Sequence, residues 1–177
     1  MRIIKKIDNF MLSSEKSAIK NIVFSISTAI STGLFVGKIK YAPGTFGSLL
    51  GLCFCIPFVK LSLSIQVMIL FCLLVFGTIS THIYLLKIKD LNKDPKEVVI
   101  DEIFAMFLLT FLSQIITKNF EWHHFLSIFT LFRTFDILKP YPISYVDKNL
   151  HGAKGIMLDD IMASFGGFLV YILAYSK

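Results

Sequence analysis

The stretch RTFDILKPYPISYVDKNLHGAKGIMLDD, residues 133–160, lies between two apolar segments and yet carries Arg133, Asp136, Lys139, Asp159 and Asp160. An ionised side chain at the centre of a bilayer-spanning helix costs about 2.5–3.5 kcal/mol on insertion scales, so charges kept there pair, bind an ion or line a wet cavity. The stretch therefore reads as a functional site set among membrane helices.

The composition around it supports that setting. A chain of 177 residues that is 55% hydrophobic and 17% charged, with mean hydropathy +0.71, is too apolar for an ordinary soluble domain. One crossing takes about 20 residues, so the length predicts a single all-α bundle of about four to five spanning helices and no second domain. The net charge of +6 is spread over connections between apolar runs and forms no continuous basic face, which speaks against nucleic acid and for anionic lipid. Cys53, Cys55 and Cys72 fall inside apolar runs and are expected to be buried free thiols. Two residues on a helix span about 200°, so Cys53 and Cys55 point to opposite faces and cannot chelate one ion.

Upstream, residues 1–30 place Ile3, Ile4, Ile7, Phe10 and Met11 at helical spacing beside Arg2, Lys5 and Lys6. That pattern fits an amphipathic helix in the headgroup region or a frayed basic tail, and its polar continuation is wrong for a cleaved signal peptide. Residues 31–177 read as one membrane-embedded domain. Residues 22–37, apolar but rich in Ser and Thr, are marginal for a crossing and are expected to be re-entrant or interfacial. In YAPGTFGSLLG, residues 41–51, Thr45 can cap a helix, and Gly44 and Gly47 would let backbone N–H groups approach an anion.

Further on, residues 61–86 form the clearest span, with His82 near its end as an interfacial side chain. Residues 87–99 are a polar connection whose Lys87, Lys89, Lys93 and Lys96 look solvated. Asp101 and Glu102 head the next apolar run. Residues 122–138 form another span, with Trp122 in the interfacial belt and His123 and His124 facing solvent. The last run, residues 156–175, carries Asp159 and Asp160 in its first turns and a Gly166–Gly167 pair suited to close helix packing.

Alternating helix directions bring Asp101, Glu102, Asp136, Asp159 and Asp160 to one membrane face, together with the Thr45–Ser48 turn. Loops on that face hold nine lysines, against Lys60, Lys118 and Lys177 opposite, so the site should face the cytoplasm. That bias survives only if residues 22–37 do not cross. Clustered carboxylates bind hard divalent cations through oxygen, and Mg²⁺ takes one or two of them while keeping water and substrate phosphate. Arg133, Asp136 and Lys139 follow at i, i+3 and i+6 and share roughly one helix face. Cations beside metal-binding acids suit a phosphate monoester, whose charge must be neutralised and whose leaving alkoxide must be stabilised.

Four blocks then carry a family resemblance: APGTFGS at 42–48, DP-x-x-VVIDE at 94–102, FR-x-x-D-x-x-KP-x-P at 132–142 and D-x-x-x-HG-x-x-GIM-x-DD at 147–160. In that order, over residues 31–171, they resemble phosphatidylglycerophosphatase A, the bacterial membrane enzyme that converts phosphatidylglycerophosphate to phosphatidylglycerol. The resemblance implies Mg²⁺ as cofactor and a site in the bacterial inner membrane. It implies catalytic roles for Asp101, Glu102, Asp136, Asp159 and Asp160, the metal being held by Asp101, Glu102, Asp136 and Asp159. Asp147 is a further acid within the matching blocks. Thr45, Gly47, Ser48, Arg133, Lys139 and His151 are the implied phosphate and substrate contacts. Ala105 stands where relatives often have Gly. A small transporter with a charged ion pathway is the rival reading. The signature of CDP-alcohol phosphotransfer, DG-x-x-AR, is absent from the sequence, as is the Asp-x-Asp-x-Thr of aspartyl-phosphate enzymes, which favours water as nucleophile.

Overall fold

The structure, a computed structural model, describes residues 2–91, 94–117 and 119–175, with side chains from residue 16 onward. Among these residues there is no strand. The helices are α1 (Arg2–Ser31), α2 (Pro43–Phe58), α3 (Leu63–Ile88), α4 (Ile100–Ser113), α5 (Trp122–Leu138), α6 (Ile143–Asn149) and α7 (Gly152–Tyr175), with a 3₁₀ turn at Val36–Lys38.

Local chemistry sets the boundaries that matter for the site. Before α2 the chain turns at Ala42, whose φ of 48° is left-handed, and the helix opens with Pro43 at its first position. Proline is pre-organised there and its missing N–H is no loss. Thr45, expected as the cap, lies inside the first turn, and the cap makes no side-chain hydrogen bond. At the other end of the site, α5 stops at Lys139, left-handed at φ 41°, before Pro140. The last helix starts at Gly152, earlier than its apolar run indicates, so Asp159 and Asp160 sit about two turns inside it.

The stretch from residue 22 to 37 is not a segment of its own. No glycine or proline occurs before Gly33, so α1 continues unbroken to Ser31 and packs along α3, where Lys87 donates to Thr28 Oγ1 at 3.0 Å. The apolar face proposed for residues 3–11 lies outside the described side chains, and Lys93, Lys118 and Lys177 lie outside the described residues.

At the centre is α4, in contact with α2, α3, α5 and α7, with Ala105, Met106 and Leu109 fully buried. Close approach needs small residues. A Cβ on Gly51 would stand 3.0 Å from Met106 Cβ and 3.1 Å from Ile103 Cα, and one on Gly166 would stand 2.6 Å from the Phe135 ring. The Gly166–Gly167 pair thus receives α5 and α4 as its composition suggests.

Among the described residues two helices, α3 and α7, are long and apolar enough to cross a membrane, where the sequence suggested four to five. The 16, 14 and 17 residues of α2, α4 and α5 reach only about 21–26 Å, short of a hydrocarbon core of about 30 Å. Yet α3 exposes Val67, Met68, Phe71, Phe76 and Ile79 to its surroundings, an apolar surface that soluble monomers rarely present. Cys55 is buried, whereas Cys53 is exposed and Cys72 half-buried; their helical runs are only partly covered by neighbouring helices. His124, expected to face solvent, is buried with Nδ1 at 2.9 Å from the Tyr171 hydroxyl, because the first turn of α5 packs on the end of α7.

Gly51→Leu should destabilise the bundle by about 1–3 kcal/mol through overpacking against α4. Phe54→Leu, on the exposed face of α2, should stay within about 0.5 kcal/mol. Thermal unfolding in detergent measures both, and equal melting temperatures would contradict the α2–α4 contact.

Candidate active site

Where α2, α4, α5 and α7 meet, a cavity of about 350 Å³ opens among charged side chains. The first turn of α4 brings Asp101 and Glu102 to it, the last two turns of α5 bring Arg133 and Asp136, and α7 brings Asp159 and Asp160. Lys139, the residue that closes α5, completes one wall, and Ala42, Pro43 and Gly44 place the positive end of α2 at another.

Within this group the charges sort themselves. Asp101, Glu102 and Asp160 each present a carboxylate oxygen within 4.8 Å of the other two. Asp136 lines the same cavity, and its Oδ2 accepts from Arg133 at 2.7 Å. Asp159 accepts from Lys139 Nζ at 2.7 Å, and the same ammonium reaches Asp147 on α6 at 2.5 Å. Asp136 and Asp159, expected as metal ligands, thus face cations, while Asp160 joins the tight trio. Sequence spacing could not separate the two neighbours on α7, since adjacent helical residues point about 100° apart and the phase decides which faces α4.

Buried oxygens of the trio, Asp101 Oδ1, Glu102 Oε2 and Asp160 Oδ2, have no hydrogen-bond partner among the described residues, and neither does Asp159 Oδ1. Buried polar atoms are ordinarily paired. An all-oxygen donor set of this kind fits a hard divalent cation such as Mg²⁺.

Arg133 is steered from two sides, donating to Asp136 and, at 3.3 Å, to Ser48 Oγ, while its buried Nε has no partner among the described residues. Ser48 in turn donates to the Gly44 carbonyl at 2.7 Å. Ser48 therefore stands behind the guanidinium and outside the cavity wall. Thr45 and Gly47 are not in that wall either, and Gly47 is where α2 meets Val99. His151 lines a small neighbouring recess with Asp147 and Asp159.

Sequence reasoning missed Asp94 and Lys40, and left Lys96 as a solvated charge; all three stand at the cavity wall, Lys96 exposed there. Asp94 had a signal, being the acid that opens the DP-x-x-VVIDE block. Its loop is held by Val99 N donating to Ser31 O at 2.9 Å and by the Tyr84 hydroxyl bonded to the Glu97 carboxylate. Desolvation raises the Asp94 pKa, against the opposing charge of Lys139. For Lys139, burial pulls the ammonium down, but its bonds to Asp147 and Asp159 outweigh that and the pKa is raised. The stability gained from that pairing is present in full below the ordinary value of 10.5 and fades only as pH climbs through the raised one, so Lys139 is a fixed cation at neutral pH.

Comparison with known proteins bears on this geometry. The family described as Phosphatidylglycerophosphatase A matches residues 29–175. A Haemophilus influenzae protein named Phosphatidylglycerophosphatase A is 33% identical over 148 residues, covering 82% of this chain and 87% of the relative. Its Escherichia coli namesake is 34% identical over 148 residues, 81% of each chain. A Bacteroides thetaiotaomicron protein with a provisional phosphatidylinositol-3-phosphatase name is 30% identical over 153 residues, 82% of this chain and 91% of the relative. No solved structure gives a significant match.

A Cβ on Gly44 would collide with Glu102 Oε1, the mobile end of a side chain. Gly44→Ala should therefore cost little stability and displace the Glu102 carboxylate, lowering phosphatase turnover by about tenfold or more. Turnover at the wild-type level would show that the position of Glu102 is immaterial.

Proposed function

The chain belongs to the phosphatidylglycerophosphatase A family, and from that membership we propose that it hydrolyses the terminal phosphate monoester of phosphatidylglycerophosphate to phosphatidylglycerol and phosphate, with Mg²⁺ as cofactor. The observation that carries the chemistry is the adjacency of three carboxylates, each with a buried oxygen, to an independently anchored guanidinium and ammonium in one cavity. The rival transporter reading has no footing in a family of phosphatases.

In this reading Asp101, Glu102 and Asp160 hold the metal, with Asp136 beside them. Bound Mg²⁺ would act as a Lewis acid on the phosphoryl oxygens, neutralising their charge. Arg133 is aimed by Asp136 and Ser48 and keeps donors for a planar grip on two phosphate oxygens. Lys139 supplies a fixed positive charge beside the bond being broken, where an alkoxide develops. The first turn of α2 adds its helix dipole to the anion's side of the cavity.

The protein would work as a multi-pass bundle in the bacterial inner membrane. The exposed apolar face of α3 and the two span-length helices support the bilayer setting. The lysine-rich loops around the cavity favour a cytoplasmic site on the condition that α1, which packs along α3, does not carry the chain across.

Phosphate release from short-chain phosphatidylglycerophosphate by the purified protein tests the reaction. Chelation should abolish release and added Mg²⁺ restore it, and full activity in chelator would remove the metal from the proposal. Asp101→Asn and Asp160→Asn should lower turnover by about 100-fold or more, or demand far more Mg²⁺. Arg133→Lys should cost about 100-fold despite keeping its charge, and Lys139→Arg under about tenfold; a fully active Arg133→Lys would defeat the bidentate role.

Orientation is tested separately, with single cysteines at Lys96 and Glu121 in a background lacking native thiols. An impermeant thiol reagent outside intact cells should label only the Glu121 position. Equal labelling would sink the cytoplasmic orientation.

A further inference from the structure

A second cavity, about 510 Å³, lies between the C-terminal part of α3 and the N-terminal turn of α7. Its size falls within the range of about 300–1,000 Å³ typical of small-ligand sites. Thr78, Ile79 and Ile83 of α3 give it an apolar wall, and Ile79 is half exposed to the surroundings of the bundle. Its rim is of the opposite character: His82, His151 and Lys154 offer a cation and imidazole nitrogens.

The groove and the acid cavity flank one small recess. His151 and Gly152 belong both to the groove and to the small recess beside it, and Asp94 and Asp159 belong both to that recess and to the acid cavity. Lys154 at the groove and Asp159 at the acid cavity lie five positions apart on α7, a rise of about 7.5 Å and a rotation of about 140° around the axis, so a lipid touching both must bend round the helix by way of the recess.

We infer that the α3–α7 groove seats the internal phosphodiester and the first part of an acyl chain of the same lipid whose terminal phosphate occupies the acid cavity. The inference rests on the substrate reading above. One molecule then lies across both cavities, its glycerol bridge passing the recess at His151 and Asp159. Lys154 and the first turn of α7 face the diester anion, which carries one charge and needs no metal. The acyl chain leaves along Ile79 and Ile83, toward the face that α3 presents to the bilayer. The division also explains why the acid cavity is lined mainly by charged side chains while its neighbour is not. The apolar part of the substrate never enters the catalytic chamber.

Two variants on different helices test it, Lys154→Gln at the rim and Ile79→Trp filling the groove, with melting temperature recorded for each. With dioctanoyl phosphatidylglycerophosphate in detergent, both should raise KM about tenfold while kcat stays within about twofold, the signature of lost uniform binding. Lys154→Arg should keep KM near the wild-type value. Dioctanoyl phosphatidic acid has the same chains and a monoester but no diester, so Lys154→Gln should shrink the preference for phosphatidylglycerophosphate over it by about tenfold. Wild-type KM in both variants would overturn the groove assignment while leaving the phosphatase reading intact. An equal rise in KM for both lipids in Lys154→Gln would overturn the diester contact and mark the rim as a general lipid surface. A wild-type protein that releases no phosphate from phosphatidylglycerophosphate would overturn the substrate reading, and the groove with it.

Discussion

Three carboxylates with oxygens within 4.8 Å of one another, set at the end of an apolar bundle, govern what surrounds them. Two unit charges at that distance repel by about 3.5 kcal/mol at an effective dielectric of 20, and burial removes the water that would screen them. Positive charge is brought in from the end of α5, as Arg133 and as Lys139, the residue that closes the helix. Among the described residues, however, neither forms an ion pair with Asp101, Glu102 or Asp160. The cations compensate the flanking acids, Asp136, Asp147 and Asp159, and leave the trio as a concentrated negative site. Such a site is tolerable when a divalent cation shares it, and the family's phosphatase chemistry gives it a use.

Helix length supports the same arrangement. The helices that carry the site, apart from α7, are short: α2 has 16 residues, α4 14 and α5 17. In a bilayer, a helix shorter than the hydrocarbon core leaves at least one end below the headgroups or thins the membrane around it. The ends of α2, α4 and α5 meet at the cavity, where Asp159 and Asp160 stand about two turns inside α7, so the chamber lies within the length of that helix. Backbone and charge are tolerated at such depth only where they line a wet cavity. A phosphate held at a lipid headgroup needs a site at about that level.

Much of this was legible because the relevant signals are local. The α5 helix runs from Trp122 to Leu138, as its apolar run bounded by Glu121 and Pro140 indicates. The gathering of five acids at one end of the bundle follows from helix direction alone. What failed needed partners or phase. Pro43 rather than Thr45 starts α2, because a left-handed Ala42 sets the turn. Lys154 and Gly155 interrupt the apolar run without interrupting the helix, so α7 begins at Gly152 and the two acids lie deeper than their sequence position suggests. Asp94, Lys40 and Lys96 come from loops, which have no periodicity to read. His124 reads as an interfacial residue until Tyr171, 47 positions away, is packed against it.

The two cations also explain why structural pairing and phosphate binding need not compete. Arg133 has five N–H donors, and the bonds to Asp136 and Ser48 both leave from one terminal nitrogen, while Nε remains without a partner among the described residues. Pairing with Asp136 lowers the freedom of the guanidinium without exhausting its donors, so the ordering that a phosphate grip requires is already met before substrate arrives. Lys139 differs in kind. Its ammonium has three donors and reaches two carboxylates, one on α6 and one on α7. It therefore fixes the position of three helices around the chamber's edge and keeps its charge at any neutral pH. One cation is a fork with unused tines, the other a knot with one N–H to spare. The same residues can close the end of the bundle and still act on an anion inside it, because the carboxylates that anchor them are outnumbered by the donors they offer.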